Sequence, residues 1–225
     1  MDVPLTIMLD ELLSFFYPAA CFSCGTIMPP RVVVCCQACE SVIKPVVSLP
    51  LALTKKHTMN VAAGCAYLDP VKRLVVRKFS QDMRASRQLA AIMIAAIPKN
   101  YFEADYLIPI PLHWTRYARR GFNQSLVIAR VLGKHYNIPV LNVLSRHKRT
   151  AFQSTLTHDL RHENVIDAFK LRTFFGLRRF EHLRGKRLVL VDDLCTTGST
   201  LISAAKVLHT LKPESINAVV ACRAL

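Results

Sequence analysis

Asp192 and Asp193 stand side by side at the end of an aliphatic run in the stretch LVLVDDLCTTGST, residues 188–200. Adjacent carboxylates repel each other, so a chain that keeps them together next to apolar residues needs a ligand to face them. Cys195, Thr196, Thr197, Gly198, Ser199 and Thr200 follow as a short loop. Its small residues let backbone N–H groups converge, and the helix that starts near Ser199 adds its positive N-terminal end, which together make a cup for a phosphate. Capping accounts for one of the hydroxyls, not for the carboxylate pair and the second threonine. Two carboxylates beside a phosphate cup suit either a neutral diol, from which they accept hydrogen bonds, or a divalent cation. A ribose 5-phosphate moiety satisfies both halves.

Two basic stretches lie upstream. IPIPLHWTRYARRGFNQS, residues 108–125, reads as a strand ending in a proline turn and then a basic loop with Arg116, Arg119, Arg120 and Gly121. Arginine forks grip phosphate bidentately, and a glycine permits close backbone approach, so this loop is a candidate diphosphate contact. Asn123 is placed to cap the helix that follows. Trp114, Tyr117 and Phe122 interleave with these arginines; packing beneath the loop is favoured over stacking on nucleic-acid bases. Residues 145–169 form a long polar segment with Lys148, Arg149, Gln153 and Arg161, a candidate mobile loop closing over substrate.

A third cluster is metallic in character. Cys21-x2-Cys24 and Cys36-x2-Cys39, with 11 residues between the pairs, give four thiolates at structural zinc spacing. Cys35 competes with Cys36 for the third position, and the sequence leaves the choice open. So small a segment needs the metal to fold.

The elements that must position these groups follow from periodicity. Residues 4–17 read as an apolar helix, and residues 18–45 complete an N-terminal module with the cysteines. Residues 46–59 read as a Pro-containing linker, and 60–225 as the main domain. Within that domain strands are expected at 60–68, 105–110, 138–144, the 187–193 run and the final 215–224 run. Helices are expected over 70–97 in two blocks broken near Ser80, over 125–136, and after Ser199. Strands alternating with helices, with aliphatic runs that do not themselves alternate, predict an α/β fold with a parallel sheet covered on both faces.

Composition sets the surroundings. The chain has 225 residues, 52% hydrophobic and 20% charged, which excludes wholesale disorder. Its net charge is +15, and 16 Lys/Arg against 4 Asp/Glu fall between His113 and Leu190, so 12 of the 15 excess charges lie there. Such a surface attracts polyanions. No membrane-spanning segment is evident: the uncharged run from Leu12 to Pro30 is broken by Pro18 and Pro29. Cysteine usage of this kind predicts a reducing, cytoplasmic setting.

LVLVDDLCTTGST resembles the PRPP-binding motif of type I phosphoribosyltransferases. RRGFNQ at 119–124, then Thr150, Gln153 and Leu156, then Arg161, Asn164, Ala168 and Phe169 resemble the ComF family, whose members also carry an N-terminal four-cysteine finger. The family pattern has an arginine where this chain has Lys148, which leaves Arg146, Lys148 and Arg149 as alternatives for its role. The resemblance implies a type I phosphoribosyltransferase fold, structural Zn²⁺, and Mg²⁺ bound with PRPP. It implies that Asp192 and Asp193 hold the ribose hydroxyls as the catalytic pair, with 195–200 around the 5-phosphate. It also implies handling of single-stranded DNA during natural transformation. A further expectation is a scaffold whose finger and N-terminal helix dock a helicase or translocation partner, at the inner face of the membrane. The alternative is a salvage phosphoribosyltransferase with no DNA role. The acceptor of any transfer is not legible.

Overall fold

The structure is a computed structural model that describes residues 20–28, 35–46, 48–54, 57–77, 83–147, 168–172 and 180–224. The helix expected over 4–17, and Lys148, Arg149, Gln153 and Arg161 of the long polar segment, lie outside the described residues.

Among those residues the elements run in the order α1 (Gln37–Glu40), β1 (Leu49–Ala52), β2 (Thr58–Ala66), α2 (Val71–Arg77), α3 (Met83–Ala96), β3 (Tyr106–Pro109), α4 (Trp114–Arg120) and α5 (Gln124–Tyr136). Then come β4 (Leu144–Arg146), β5 (Phe169–Leu171), β6 (Arg187–Cys195), α6 (Ser199–His209) and β7 (Ser215–Arg223). The main sheet has the order β1-β2-β7-β6-β3; β2, β7, β6 and β3 are parallel, and β1 is antiparallel to β2. β4 and β5 form a separate antiparallel pair.

β6 shows why the sheet is covered on both sides. Side chains alternate across a strand, and here both sets are apolar. Val189 and Val191 join a core with Leu89, Met93, Ile128 and Leu132 of α3 and α5. Leu188 and Leu190 join a second core with Leu201, Ala204 and Leu208 of α6 and with Leu144 and Phe169 of the small sheet. Each such buried Leu or Met contributes about 1.5–3 kcal/mol of transfer free energy. The apolar stripes of α3 and α5 are the 3.6-residue stripes legible in their sequences.

Three segments depart from expectation. Residues 49–52, inside the stretch read as a linker, form β1. Its exposed–buried alternation is weak and Pro50 sits within it, a composition an edge strand tolerates. Residues 138–144 do not form a full strand. Pro139 and Val140 line up beside β3 through an isolated bridge, with Leu107 N–H donating to Pro139 O at 3.0 Å and Leu141 N–H to Leu107 O at 2.9 Å. Proline at 139 has no N–H to extend a ladder. Residues 114–120, read as loop, are helical, because His113 and Gly121 cap both ends of a seven-residue segment.

The cysteine segment docks on the body. Cys21, Phe22, Met28 and Cys35 belong to the same apolar cluster as Val71, Leu74 and Leu89.

Candidate functional site

The carboxyl ends of parallel strands gather the polar groups of an open α/β sheet on one side. β6 runs through Asp192 and Asp193 to Cys195, and α6 begins four residues later at Ser199. Asp192 is buried, and its Oδ1 accepts from the Ser125 hydroxyl at 2.8 Å and from the Asp193 N–H at 2.9 Å. Those donors orient one carboxylate and satisfy part of it. Asp193 is half-buried.

RRGFNQS supplies the frame. Gly121 caps α4 in the left-handed conformation at φ 77°, with its N–H on Tyr117 O. A Cβ there would meet nothing within 4 Å, so its role is the turn and not a close approach. The Asn123 side chain accepts from Ser125 N–H at 3.2 Å, capping α5 as expected, and its Nδ2 donates to Ile110 O at 3.0 Å. The next helix is thereby tied to the end of β3. Arg120 Nη1 donates to Gln124 Oε1 at 3.2 Å, both side chains buried. Asn123, Gln124 and Ser125 are one polar brace with Asp192 at its end.

Two arginines act electrostatically on the acidic pair. Burial works to lower the Arg120 pKa, against the opposing charge of Asp193. Arg146 on β4 behaves likewise: burial and Arg116 lower its pKa, and Asp192 raises it. Its guanidinium carbon lies 5.3 Å from the Phe169 ring centroid, its register partner on β5, a cation–π placement. His113 joins the two pieces. Its Nδ1 accepts from Thr115 N–H at 3.3 Å, which leaves Nε2 carrying the hydrogen it donates to His147 O at 3.2 Å. Arg119 is exposed.

In the loop, the Thr197 hydroxyl donates to Ser199 Oγ at 3.0 Å and accepts from Ser199 N–H at 3.4 Å. Thr196 is exposed, and Thr197 and Thr200 are partly so. Cys195 turns into the second apolar core, and burial first, then Asp192, pushes its thiol up to about 11, so it stays protonated. Gly198 has φ 77°, and a Cβ on it would run into the Leu51 side chain of β1. Gly198→Ala is therefore expected to destabilise the protein by about 1–3 kcal/mol in denaturant unfolding, since left-handed backbone is costly for alanine. Adding Leu51→Ala should restore only the contact part. An unchanged midpoint for Gly198→Ala would contradict this backbone geometry.

The four candidate metal ligands come together. One ligand atom from each of Cys21, Cys24, Cys36 and Cys39 lies within 4.8 Å of the others, and the Cys24 and Cys36 sulfurs are 3.6 Å apart. Tetrahedral zinc at about 2.3 Å per bond needs sulfurs about 3.8 Å apart. Burial opposes a Cys21 thiolate, yet the backbone amides of Cys24, Cys36 and Ser23 bring the thiol to about 6. Four soft donors with amide support fit Zn²⁺. Cys35 points into the core instead, and burial pushes its thiol up to about 11. Cys36 is thus the third member of the cluster.

Ser125 had no expected role and Arg146 no fixed one; both act on groups tens of residues away, which spacing does not display. Trp114 and Tyr117 were expected under the loop. They are 70% and 52% exposed, since α4 turns that face outward.

Residues 83–225 match the family described as phosphoribosyl transferase domain. The chain is similar to Competence protein F of Haemophilus influenzae, 34% identical over 157 residues that cover 67% of this chain and 66% of that protein. It is similar to DNA utilization protein YhgH of Escherichia coli O157:H7, 32% identical over 166 residues, 71% of this chain and 70% of that protein. It is also similar to Competence protein ComFC of Bacillus subtilis, 28% identical over 190 residues, 84% and 70% of the two chains. Among the described residues, no helix is long and apolar enough to cross a membrane.

Proposed function

The chain belongs to the phosphoribosyl transferase domain family, among its ComF-type competence proteins, and from that membership we propose that it acts in DNA uptake and carries a site for PRPP. The observation that carries the site is the braced carboxylate pair at the carboxyl end of β6, with Arg120 and Arg146 acting on it electrostatically. In this reading Asp192 and Asp193 accept hydrogen bonds from the ribose hydroxyls. The amides and hydroxyls of residues 196–200, at the N-terminus of α6, take the 5-phosphate. Arg116, Arg120 and Arg146 face the diphosphate.

If transfer occurs, positive charge grows on the sugar as the diphosphate departs. The carboxylates lie where they ease the first charge, and the arginines where they stabilise the second. The hard oxygen donors of the pair and of a diphosphate suit Mg²⁺, which when bound neutralises the leaving group. Lys148, Arg149, Gln153 and Arg161 belong to the segment that would cover this site.

The DNA role is supported by the names of the similar proteins and by the charge of +15. Single-stranded DNA is the ligand this reading expects on the basic face, with the helicase or translocation machinery as the partner that delivers it.

Calorimetry with PRPP in the presence and absence of Mg²⁺ tests the site. Binding is expected only with the cation, and no heat with Mg²⁺ present would overturn the ligand assignment. Affinity for an oligo-dT strand should fall steeply with salt, log K falling by about 0.7 per phosphate contact for each unit of log salt. PRPP binding without any DNA binding would favour a salvage enzyme.

A further inference from the structure

We propose that α4 presents a stacking platform for the bases of single-stranded nucleic acid, formed by Trp114 and Tyr117, on the face opposite its phosphoribosyl-site arginines. The proposal rests on the DNA-handling reading above and adds where, and through which chemistry, the strand is held.

Helical spacing divides α4 into two faces. Trp114 and Tyr117 are three residues apart and lie together, with Ala118 beside them; Arg116 and Arg120 are four apart and lie on the other side. The second face turns inward: Arg120 is 5% exposed and paired with Gln124, and Arg116 acts on Arg146 beside Asp192. The first is open. Trp114 at 70% and Tyr117 at 52% are the only aromatic side chains among the exposed large hydrophobics of the described residues. Leaving an indole in water forgoes a large burial gain, so an exposed pair signals a partner.

The surroundings choose that partner. From Tyr106 to His147 the chain carries six Lys/Arg and no Asp/Glu, and Arg119 is exposed on α4 itself. An exposed ring pair on a helix that also exposes Arg119, in a stretch without a carboxylate, matches a base flanked by phosphates, whereas a protein partner would need an acidic patch around an apolar one. Ala118, beside Trp114 on the side away from Tyr117, keeps that flank of the face low enough for planar groups to lie on it. Base faces are free only in an unpaired strand, so the platform selects single strands over duplex. Because one short helix carries both faces, the strand passes beside the phosphoribosyl site.

The chain has a single tryptophan, so its fluorescence reports Trp114 alone. Full-length, zinc-loaded protein titrated with an oligo-dT of about 16 nucleotides is expected to show quenching that saturates with binding. Trp114→Ala should weaken binding by about 5- to 150-fold, the loss of one stacked base. Trp114→Phe should recover most of it, and Tyr117→Ala should add a further loss. A duplex of equal length should quench little. Wild-type affinity in the Trp114→Ala/Tyr117→Ala variant, with no change in tryptophan emission on saturation of the native protein, would overturn the platform and leave the DNA reading standing. No binding by the native protein would overturn both. Both variants should keep native PRPP affinity, which separates this surface from the sugar-phosphate site.

Discussion

Replacing Asp192 and Asp193 together by alanine is expected to weaken PRPP binding by about 10²–10⁴-fold. In the proposed site each carboxylate would accept from one ribose hydroxyl, and a hydrogen bond to a charged acceptor contributes about 1.5–3 kcal/mol, so two give about 3–6 kcal/mol. Part of the effect arrives through the protein. Asp192 Oδ1 holds the Ser125 hydroxyl and the Asp193 amide, and alanine at 192 strands both. Asp193→Asn separates these causes, because it keeps the size of the side chain and leaves Asp192 with its two donors. It should cost about tenfold or more in PRPP affinity, the loss of one charge-assisted bond, with zinc content and oligo-dT binding unchanged. Native PRPP affinity in both variants, measured by calorimetry, would remove the acidic pair from the ligand site.

Loss of the cysteine cluster is expected to lower the melting temperature by roughly 6–24 °C. Elemental analysis should find one zinc per chain, and none in Cys21→Ser/Cys24→Ser. The sulfurs hold together a segment whose Phe22 and Met28 are buried against the main core. Without the metal those side chains are released, at about 1.5–3 kcal/mol each, and each kcal/mol moves the midpoint of a domain this size by about 2–4 °C. The same melt on a Cys35→Ser variant should show a smaller shift with zinc retained, because Cys35 is a core residue. A zinc-free double-serine variant that melts like the native protein would show that the segment does not contribute to the core.

The acidic strand was readable from sequence because an aliphatic run ending in charge has few other uses, and the structure sets Asp192 at the end of that run. Cys21, Cys24 and Cys39 were readable because thiolates at knuckle spacing are local; the third position was open between Cys35 and Cys36 until the burial of Cys35 separated them. Ser125 and Arg146 were not, since their importance lies in what β3, β4 and β6 bring together. α4 was missed because seven residues leave too few turns for a periodic stripe, and its caps, a histidine and a glycine, are weak signals on their own. β1 escaped because an edge strand with a proline looks like a connector. The outward turn of Trp114 reverses the packing expected for an aromatic among arginines, and it is where the local rule and the surface disagree.

The position of β7 has a consequence for how the molecule is made. It lies between β2 and β6, paired to both, although it is the last strand of the sheet to be synthesised. Until residues 215–223 leave the ribosome, the sheet exists as two separated halves, β1–β2 and β6–β3. The register that joins Cys65 to Cys222 spans 157 positions of sequence. Closure of so long a loop is slow, and the nascent chain waits with its aliphatic strand edges open. A truncation that removes only this strand would therefore divide the whole sheet, and production of the protein should depend on holdase chaperones more than its size alone implies.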